Sequence, residues 1–288
     1  MTENVQNSPM VRPLSIALGA EVSNVDLSKH LDSQSWDIIK KAFDDYSVLI
    51  FRNQNINVEE QKRFGLYFGK LFVQEHLMPL VIEGHPECMV LHNNDKKPPG
   101  LNYWHTDNSG WPEPPLGTML YAKITPLIGG DTLFSNMYKA YEHLSKPIQD
   151  FLQPLKAIHD VRKAFGSEYA TLQKTLTKYG IDPDAHFKDY QPALHPVVRT
   201  HPDTKRLALY ISEPYVTHID GLSKEESNMI LNFLCHHIQK QEFIYRHCWQ
   251  VNDVVIWDNR CVQHYATADY FPAERLMHRL NICGEVPA

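Results

Sequence analysis

Residues 253–282 read DVVIWDNRCVQHYATADYFPAERLMHRLNI, and this pattern decides the fold class. An apolar run rich in β-branched and aromatic residues, 253–257, breaks at the polar turn Asp258-Asn259-Arg260, and a second run, 277–282, follows Pro272. Short runs of this kind, bounded by turn residues, read as strands. Working outward, the stretches 88–91, 118–124, 206–211 and 243–249 have the same character. Turn signals separate them at Pro98-Pro99-Gly100, Pro112, Pro114-Pro115 and Gly129-Gly130. Helical spacing is concentrated near the N-terminus. In 33–46 it shows as Trp36, Ile39 and Phe43, and 57–69 opens with Asn57 and Glu60 at capping-box spacing and closes at Gly69. The run 47–51 reads as a strand behind the first helix. Two later helices are expected, at 136–145 and 223–240. The second pairs Ser223 with Glu226 as a capping box and offers Met229, Ile230, Phe233 and Leu234 as its apolar face. Helices first and many short strands afterwards, without βαβ alternation, predict a mainly β protein with helices, a distorted antiparallel barrel or jelly roll.

A chain of 288 residues with ordinary globular composition and scattered prolines is expected to form a single domain, 1–288. Residues 1–10 are polar and expected to be disordered. The stretch 147–195 is long and mixed, with a helical piece near 168–178, and reads as an insertion and candidate lid. The formal charge of -6 comes without any basic stripe, which argues against nucleic acid as a partner. The N-terminus lacks the charged start and apolar core of a secretory signal. No run approaches the roughly 20 apolar residues that span a membrane. Cys88, Cys235, Cys248, Cys261 and Cys283 are odd in number and show no CxxC spacing. That argues against a disulfide framework and a structural zinc and leads us to expect a reducing, cytoplasmic setting.

The chemistry-bearing residues lie in two places. In Tyr103-Trp104-His105-Thr106-Asp107 the i, i+2 spacing puts His105 and Asp107 on one side of an extended strand, where both could reach one ion. An imidazole nitrogen and a carboxylate oxygen suit iron(II). A second histidine would complete a facial triad and leave positions open for a chelating co-substrate and dioxygen. In a chain with 16 histidines, HxD also arises by accident as a hydrogen-bonded turn. His264 follows an apolar strand and a polar turn, where a barrel rim would present it inward; a structural histidine bonded to backbone is the plainer alternative. Arg275 and Arg279 come on the next element. They are either solvated, or paired with acids such as Asp253 and Glu274, or they supply the planar cation that the far carboxylate of a 2-oxo diacid needs.

Four segments extend this set: WHTD (104–107), GGDTLF (129–134), HPVVRTHPDT (195–204), and WDNRCVQHYATADY (257–270) followed by RLMHR (275–279). In their order and spacing the chain resembles the taurine dioxygenase and 2,4-dichlorophenoxyacetate dioxygenase family of iron(II)- and 2-oxoglutarate-dependent oxygenases, from about residue 12 to the C-terminus. The resemblance implies a double-stranded β-helix core and an enzyme that hydroxylates a C–H bond while releasing succinate and carbon dioxide. It implies His105, Asp107 and His264 as catalytic iron ligands. Thr132 and Arg275 would hold the distal carboxylate of 2-oxoglutarate, and Arg279 would lie near an anionic substrate head group. A homodimer or homotetramer is the assembly it suggests.

Substrate contacts depart from the family pattern. A substrate-binding histidine is expected shortly after the second helix, where this chain reads GKLFVQEH (69–76). The simplest alignment puts Gln74 there, and a shifted loop would put His76. Before WHTD, Asn102 is the one amide in 100–103, and Phe134 stands where tryptophan is common. Leu101, Tyr103, Phe165 and Tyr215 are candidate walls, with core packing an equally good reading of each. The expected substrate is a small organic anion: a taurine-like organosulfonate, a sulfate ester or a carboxylate. The alternatives are a related hydroxylase of an amino acid or natural-product intermediate, and a non-catalytic or zinc-holding jelly-roll binding protein.

Overall fold

The structure, a computed structural model, describes residues 8–73, 80–100, 102–165, 177 and 191–288. The chain opens with β1 (Met10–Pro13), β2 (Ala20–Ser23), α1 (Ser33–Tyr46), β3 (Val48–Phe51) and α2 (Val58–Leu66). It continues through β4 (Val81–Ile82), β5 (His85–Asn93), β6 (Gly117–Ile124) and β7 (Thr132–Asn136) to α3 (Met137–Glu142) and α4 (Lys146–Leu152). Next come β8 (Lys156–His159), α5 (Val161–Phe165), β9 (Ala193–Pro196), β10 (Val198–Thr200), β11 (Leu207–Leu209) and β12 (Val216–Ile219). The last elements are α6 (Lys224–His237), β13 (Ile244–His247), β14 (Val254–Asp258), β15 (Val262–Ala266) and β16 (Arg275–Ile282).

The largest sheet runs β1-β2-β3-β14-β6-β16-β5-β4, antiparallel throughout except between β2 and β3. Its central strands are buried on both faces, which is why they read as unbroken apolar runs. Alternation sorts each strand between two cores. Leu49, Phe51, Met119, Tyr121, Val254 and Ile256 face Ile39, Phe43 and Phe64 of α1 and α2. Val48, Ile50, Leu120, Ala122, Val255 and Trp257 face the opposite way, into a core that includes Phe134 of β7 and Val262 of β15. Those two strands belong to a three-stranded sheet, β13-β7-β15, so the second core lies between two sheets. The protein is mainly β with few helices, as expected.

The helices begin where their capping residues stand. Asp32 accepts a bond from the Ser35 amide at α1, and both expected capping boxes form, Asn57 with Glu60 and Ser223 with Glu226. The apolar face expected for α6 is half wrong. Leu234 is fully buried, but Met229 and Phe233 are 67% and 49% exposed. The helix is seated instead through Ser227, Leu234 and His237, with Ile230 and Leu231 packed on the core, so its inward stripe is displaced around the helix from the one expected. Of the polar N-terminus, residues 1–7 lie outside the described residues, whereas Met10 already pairs with Ser23. Within the expected insertion, β8 and β9 pair with each other and β8 with β12. The helical piece near 168–178 lies outside the described residues but for Thr177, which is helical. Among the described residues no helix is long and apolar enough to cross a membrane.

This two-sided burial makes a contrast that can be measured. Ile256→Ala should lower the unfolding free energy by about 2–5 kcal/mol in urea titration. Met229→Ala on exposed α6 should stay within about 0.5 kcal/mol of the parent.

Candidate active site

His105 and His264 form an antiparallel bridge in which the His105 amide donates to the His264 carbonyl at 3.0 Å and the His264 amide donates back at 2.8 Å. Directly paired residues project to the same side, and the two imidazole centroids are 4.1 Å apart. Asp107 follows two residues on, at the start of a turn, with its carboxylate on that side. His105 Nε2 lies 3.6 Å and His264 Nε2 3.8 Å from Asp107 Oδ1. One ligating atom from each residue falls within 4.8 Å of the others, and all three residues are buried. The expected grouping therefore forms, although not on a continuous strand. His105 is a single bridge residue and Asp107 opens a turn, with Asn108 in the left-handed region at φ 51°. His264 follows the turn after β14, as expected, and stands within a further strand, β15.

Hydrogen bonds set which atoms face the centre. His105 Nδ1 is 2.9 Å from the Tyr103 carbonyl, so Nδ1 carries the proton and the Nε2 lone pair points at Asp107. Burial would raise the Asp107 carboxyl pKa, but the Arg279 guanidinium, both imidazoles and the Thr118 hydroxyl outweigh it and hold the group well below the ordinary value. Burial lowers both imidazoles, and for His264 the neighbouring His105 adds to the effect. The cluster thus presents a carboxylate and two neutral imidazoles, the forms a divalent ion requires.

Behind Asp107 runs a chain of polar side chains that the motifs did not reveal. The Thr118 hydroxyl donates to Asp107 Oδ2 at 2.6 Å and lies 3.0 Å from Asn281 Oδ1. Asn259 Nδ2 donates to Thr118, and the Trp257 indole donates to Asn259 Oδ1. Asn259 sits inside WDNR and could have been suspected. Thr118 and Asn281 carry no local signal, because only the pairing of β6 with β16 brings them together.

The cluster opens into a cavity of about 480 Å³ lined by Thr132, Trp257, Arg275 and Arg279 among others. Arg275 and Arg279, four residues apart on β16, project to the same face. Neither makes the pairing with Asp253 or Glu274 that was the alternative. Asp253 instead binds Arg52, and Glu274 binds His92. Arg275 is buried with Nε unpartnered, and burial lowers its pKa against the influence of Tyr270. A buried cation with an unused donor in a cavity is a place for an anion. The Gly-Gly turn makes room for it. A Cβ on Gly130, at φ 72°, would come within 2.9 Å of Pro126 and 3.4 Å of the Arg275 stem.

Arg279 donates to Asp107 Oδ1 at 2.8 Å and to Asn281 Oδ1 at 3.1 Å, so it braces the candidate metal ligand while lining the cavity. Tyr103 lies with its ring centroid 5.2 Å from that of His105. Tyr215 is near enough to Asp107 that burial, joined by that charge, pushes its phenol upward. Neither tyrosine is among the cavity-lining residues. Gln74, His76 and Leu101 lie outside the described residues, as does the Phe165 side chain.

A second grouping, His201, Asp258 and Cys261, also falls within ligating distance, but its chemistry does not suit an ion. His201 Nδ1 accepts from the Asp203 and Thr204 amides, which leaves Nε2 to donate to Asp258 at 3.0 Å. Arg260 grips both oxygens of Asp258. Burial, reinforced by the Asp258 charge, pushes the Cys261 thiol up to about 12, so no thiolate is available. This grouping is a structural ion pair.

The model of the taurine catabolism dioxygenase TauD, TfdA family matches residues 10–281. The chain belongs to that family. The TauD/TfdA chain is 32% identical over 284 residues to an alpha-ketoglutarate-dependent sulfate ester dioxygenase of Pseudomonas putida, covering 96% of this chain and 90% of that one. It is 31% identical over 288 residues to the alpha-ketoglutarate-dependent 2,4-dichlorophenoxyacetate dioxygenase of Cupriavidus pinatubonensis, covering 94% and 96%. A taurine dioxygenase from Burkholderia xenovorans superposes with a TM-score of 0.81 at 30% identity, over 98% of this chain and 93% of that one. This TauD/TfdA chain is accordingly a 2-oxoglutarate-dependent non-haem iron dioxygenase, and the reading as a non-catalytic binding protein falls away.

The two groupings separate experimentally. Asp258→Asn leaves the buried Arg260 with only the partly exposed Asp203 as a charged partner among the described residues and should cost about 1–3 kcal/mol of stability by denaturant unfolding. Divalent-ion uptake, measured by equilibrium dialysis on the folded protein, should not change.

Proposed function

We propose that this enzyme hydroxylates a C–H bond of a small organic anion (an organosulfonate, a sulfate ester or a carboxylate), with His105, Asp107 and His264 holding iron(II). The carrying observation is the convergence of those three side chains beside a buried Arg275 whose Nε has no hydrogen-bond partner among the described residues. A two-nitrogen, one-oxygen donor set suits iron(II) and leaves coordination positions free. Thr132 and Arg275 would hold the far carboxylate of 2-oxoglutarate. When bound, the metal with 2-oxoglutarate and dioxygen supplies the oxidising chemistry, giving succinate, carbon dioxide and a hydroxylated substrate carbon.

The protein's part is charge matching and placement. Lys97, Arg275 and Arg279 line the cavity against the single carboxylate of Asp107, so the pocket favours anions even before an ion adds its charge. Two of the five N–H donors of Arg279 are committed to Asp107 and Asn281, and the others, without a hydrogen-bond partner among the described residues, would meet a substrate head group. Leu91, Leu120, Ala266 and Trp257 supply apolar wall, which orients an organic body without specifying it closely. Tyr103 and Tyr215 would act through the loop that carries the cluster. The facing sheets are read as a double-stranded β-helix within one domain.

Anaerobic reconstitution with iron(II) and 2-oxoglutarate, followed by air and a panel of sulfonates, sulfate esters and carboxylates, tests this reading. Substrate-dependent succinate is expected from at least one panel member and none from Asp107→Ala; a panel with no response contradicts the substrate class. Arg275→Gln should raise the 2-oxoglutarate KM at least about tenfold through loss of a charge-assisted bond, and an unchanged KM contradicts the clamp. Thr118→Val removes the bond that orients Asp107 and should weaken iron(II) binding by about 10–100-fold in dialysis.

A further inference from the structure

Trp249 lies just beyond β13, whose last residue, His247, pairs with Thr132 of β7. Its indole is buried, 8% exposed, and is not among the cavity-lining residues. Even so it touches both halves of the proposed carboxylate clamp. Its Nε1–H donates to the Thr132 hydroxyl oxygen at 2.9 Å. The Arg275 guanidinium stands over its ring, 5.7 Å from the centroid, inside cation–π range. From behind, the His247 ring meets the indole edge-on at 4.6 Å and 89°. His247 Nδ1 is hydrogen-bonded in turn to Tyr245 at 3.2 Å, while its Nε2 lies 3.3 Å from buried Asp253, and Asp253 is held by Arg52 and the Gln250 amide.

A hydroxyl has one proton to donate and lone pairs to accept, whereas an indole N–H can only donate. Because Trp249 occupies an acceptor position on Thr132, the Thr132 proton must go elsewhere. On the cavity side stands Arg275, which also only donates. With one of its two lone pairs taken by the indole, the Thr132 hydroxyl can turn its proton into the cavity, so that a carboxylate oxygen placed between Thr132 and Arg275 is met by donors from both sides. The same indole seats the guanidinium. We propose that Trp249 is a positioning residue that fixes the donor polarity of Thr132 and the placement of Arg275, and thereby makes the enzyme select a 2-oxo diacid over a 2-oxo monoacid. This rests on the clamp reading given above.

The test is calorimetric titration of Mn(II)-loaded protein with 2-oxoglutarate and with pyruvate, which has the chelating end but no far carboxylate. Trp249→Phe keeps an aromatic ring and loses the N–H. It should weaken 2-oxoglutarate binding about tenfold, the scale of one charge-assisted bond, and leave pyruvate within about twofold. Thr132→Val combined with Trp249→Phe should be no weaker for 2-oxoglutarate than Thr132→Val alone, because the two residues act as one unit. Parent-like 2-oxoglutarate affinity in Trp249→Phe, equal weakening of both acids, or additive effects in the double variant would each overturn the proposal. Arg275→Gln serves as the control for the clamp. If it too leaves 2-oxoglutarate affinity unchanged, the clamp reading fails; if it weakens binding while Trp249→Phe does not, this proposal fails alone. Should Trp249→Phe not fold, ¹⁵N spectra of the Zn(II)-loaded parent decide. The indole N–H resonance that moves in Thr132→Val should also move with 2-oxoglutarate and not with pyruvate; no response, or the same response to both acids, overturns the proposal.

Discussion

The backbones of His105 and His264 exchange two hydrogen bonds, and that exchange forces both imidazoles to one side of the chain with their centroids 4.1 Å apart. Everything else at the site is arranged around this pair. Asp107 reaches the same point because only one residue separates it from His105. The β7–β15 pairing places Thr132 opposite Ala266, two residues from His264. A slip of one residue in the bridge would turn an imidazole to the other face, so the ligand set and the strand register are a single constraint.

Charge follows from burial. A carboxylate at this depth would be costly unless matched, and the Arg279 guanidinium with the Thr118 hydroxyl matches Asp107 closely enough to keep it ionised. The opposite condition holds at Arg275, where a buried donor is left without a hydrogen-bond partner among the described residues. One end of the cavity therefore satisfies its own charge and the other does not. The unsatisfied end is where the proposed clamp would take a ligand, and there the Trp249 indole donates to the Thr132 hydroxyl. Similar proteins named for sulfate esters, aryloxyacetates and taurine share the family, as expected if the anion-binding frame is common and the apolar wall varies.

Much of this was legible in the chain, for identifiable reasons. Capping residues and spacing placed α1, α2 and the start of α6, because local chemistry decides a helix end. Strands β3, β6 and β14 were legible because both faces are apolar. Strands β7 and β15 were missed as strands. Ser135, Gln263 and His264 interrupt their alternation, which is the consequence of building a polar site into a sheet. His105, Asp107 and His264 were legible only as a set completed by the resemblance. Thr118, Asn281 and Trp249 were not legible at all, since their partners lie far away in sequence and only strand pairing unites them. The misassigned face of α6 has a simpler cause: apolar residues on a helix need not all point inward.

The most direct test of the central claim is a crystal structure of the protein soaked anaerobically with Mn(II) and 2-oxoglutarate, with the ion located by anomalous scattering. The account predicts one ion bound by His105 Nε2, His264 Nε2 and an Asp107 oxygen, with the far carboxylate of the co-substrate on Arg275 and Thr132. An ion bound instead at His201, Asp258 and Cys261, or a co-substrate whose far carboxylate rests on another cation, would contradict it.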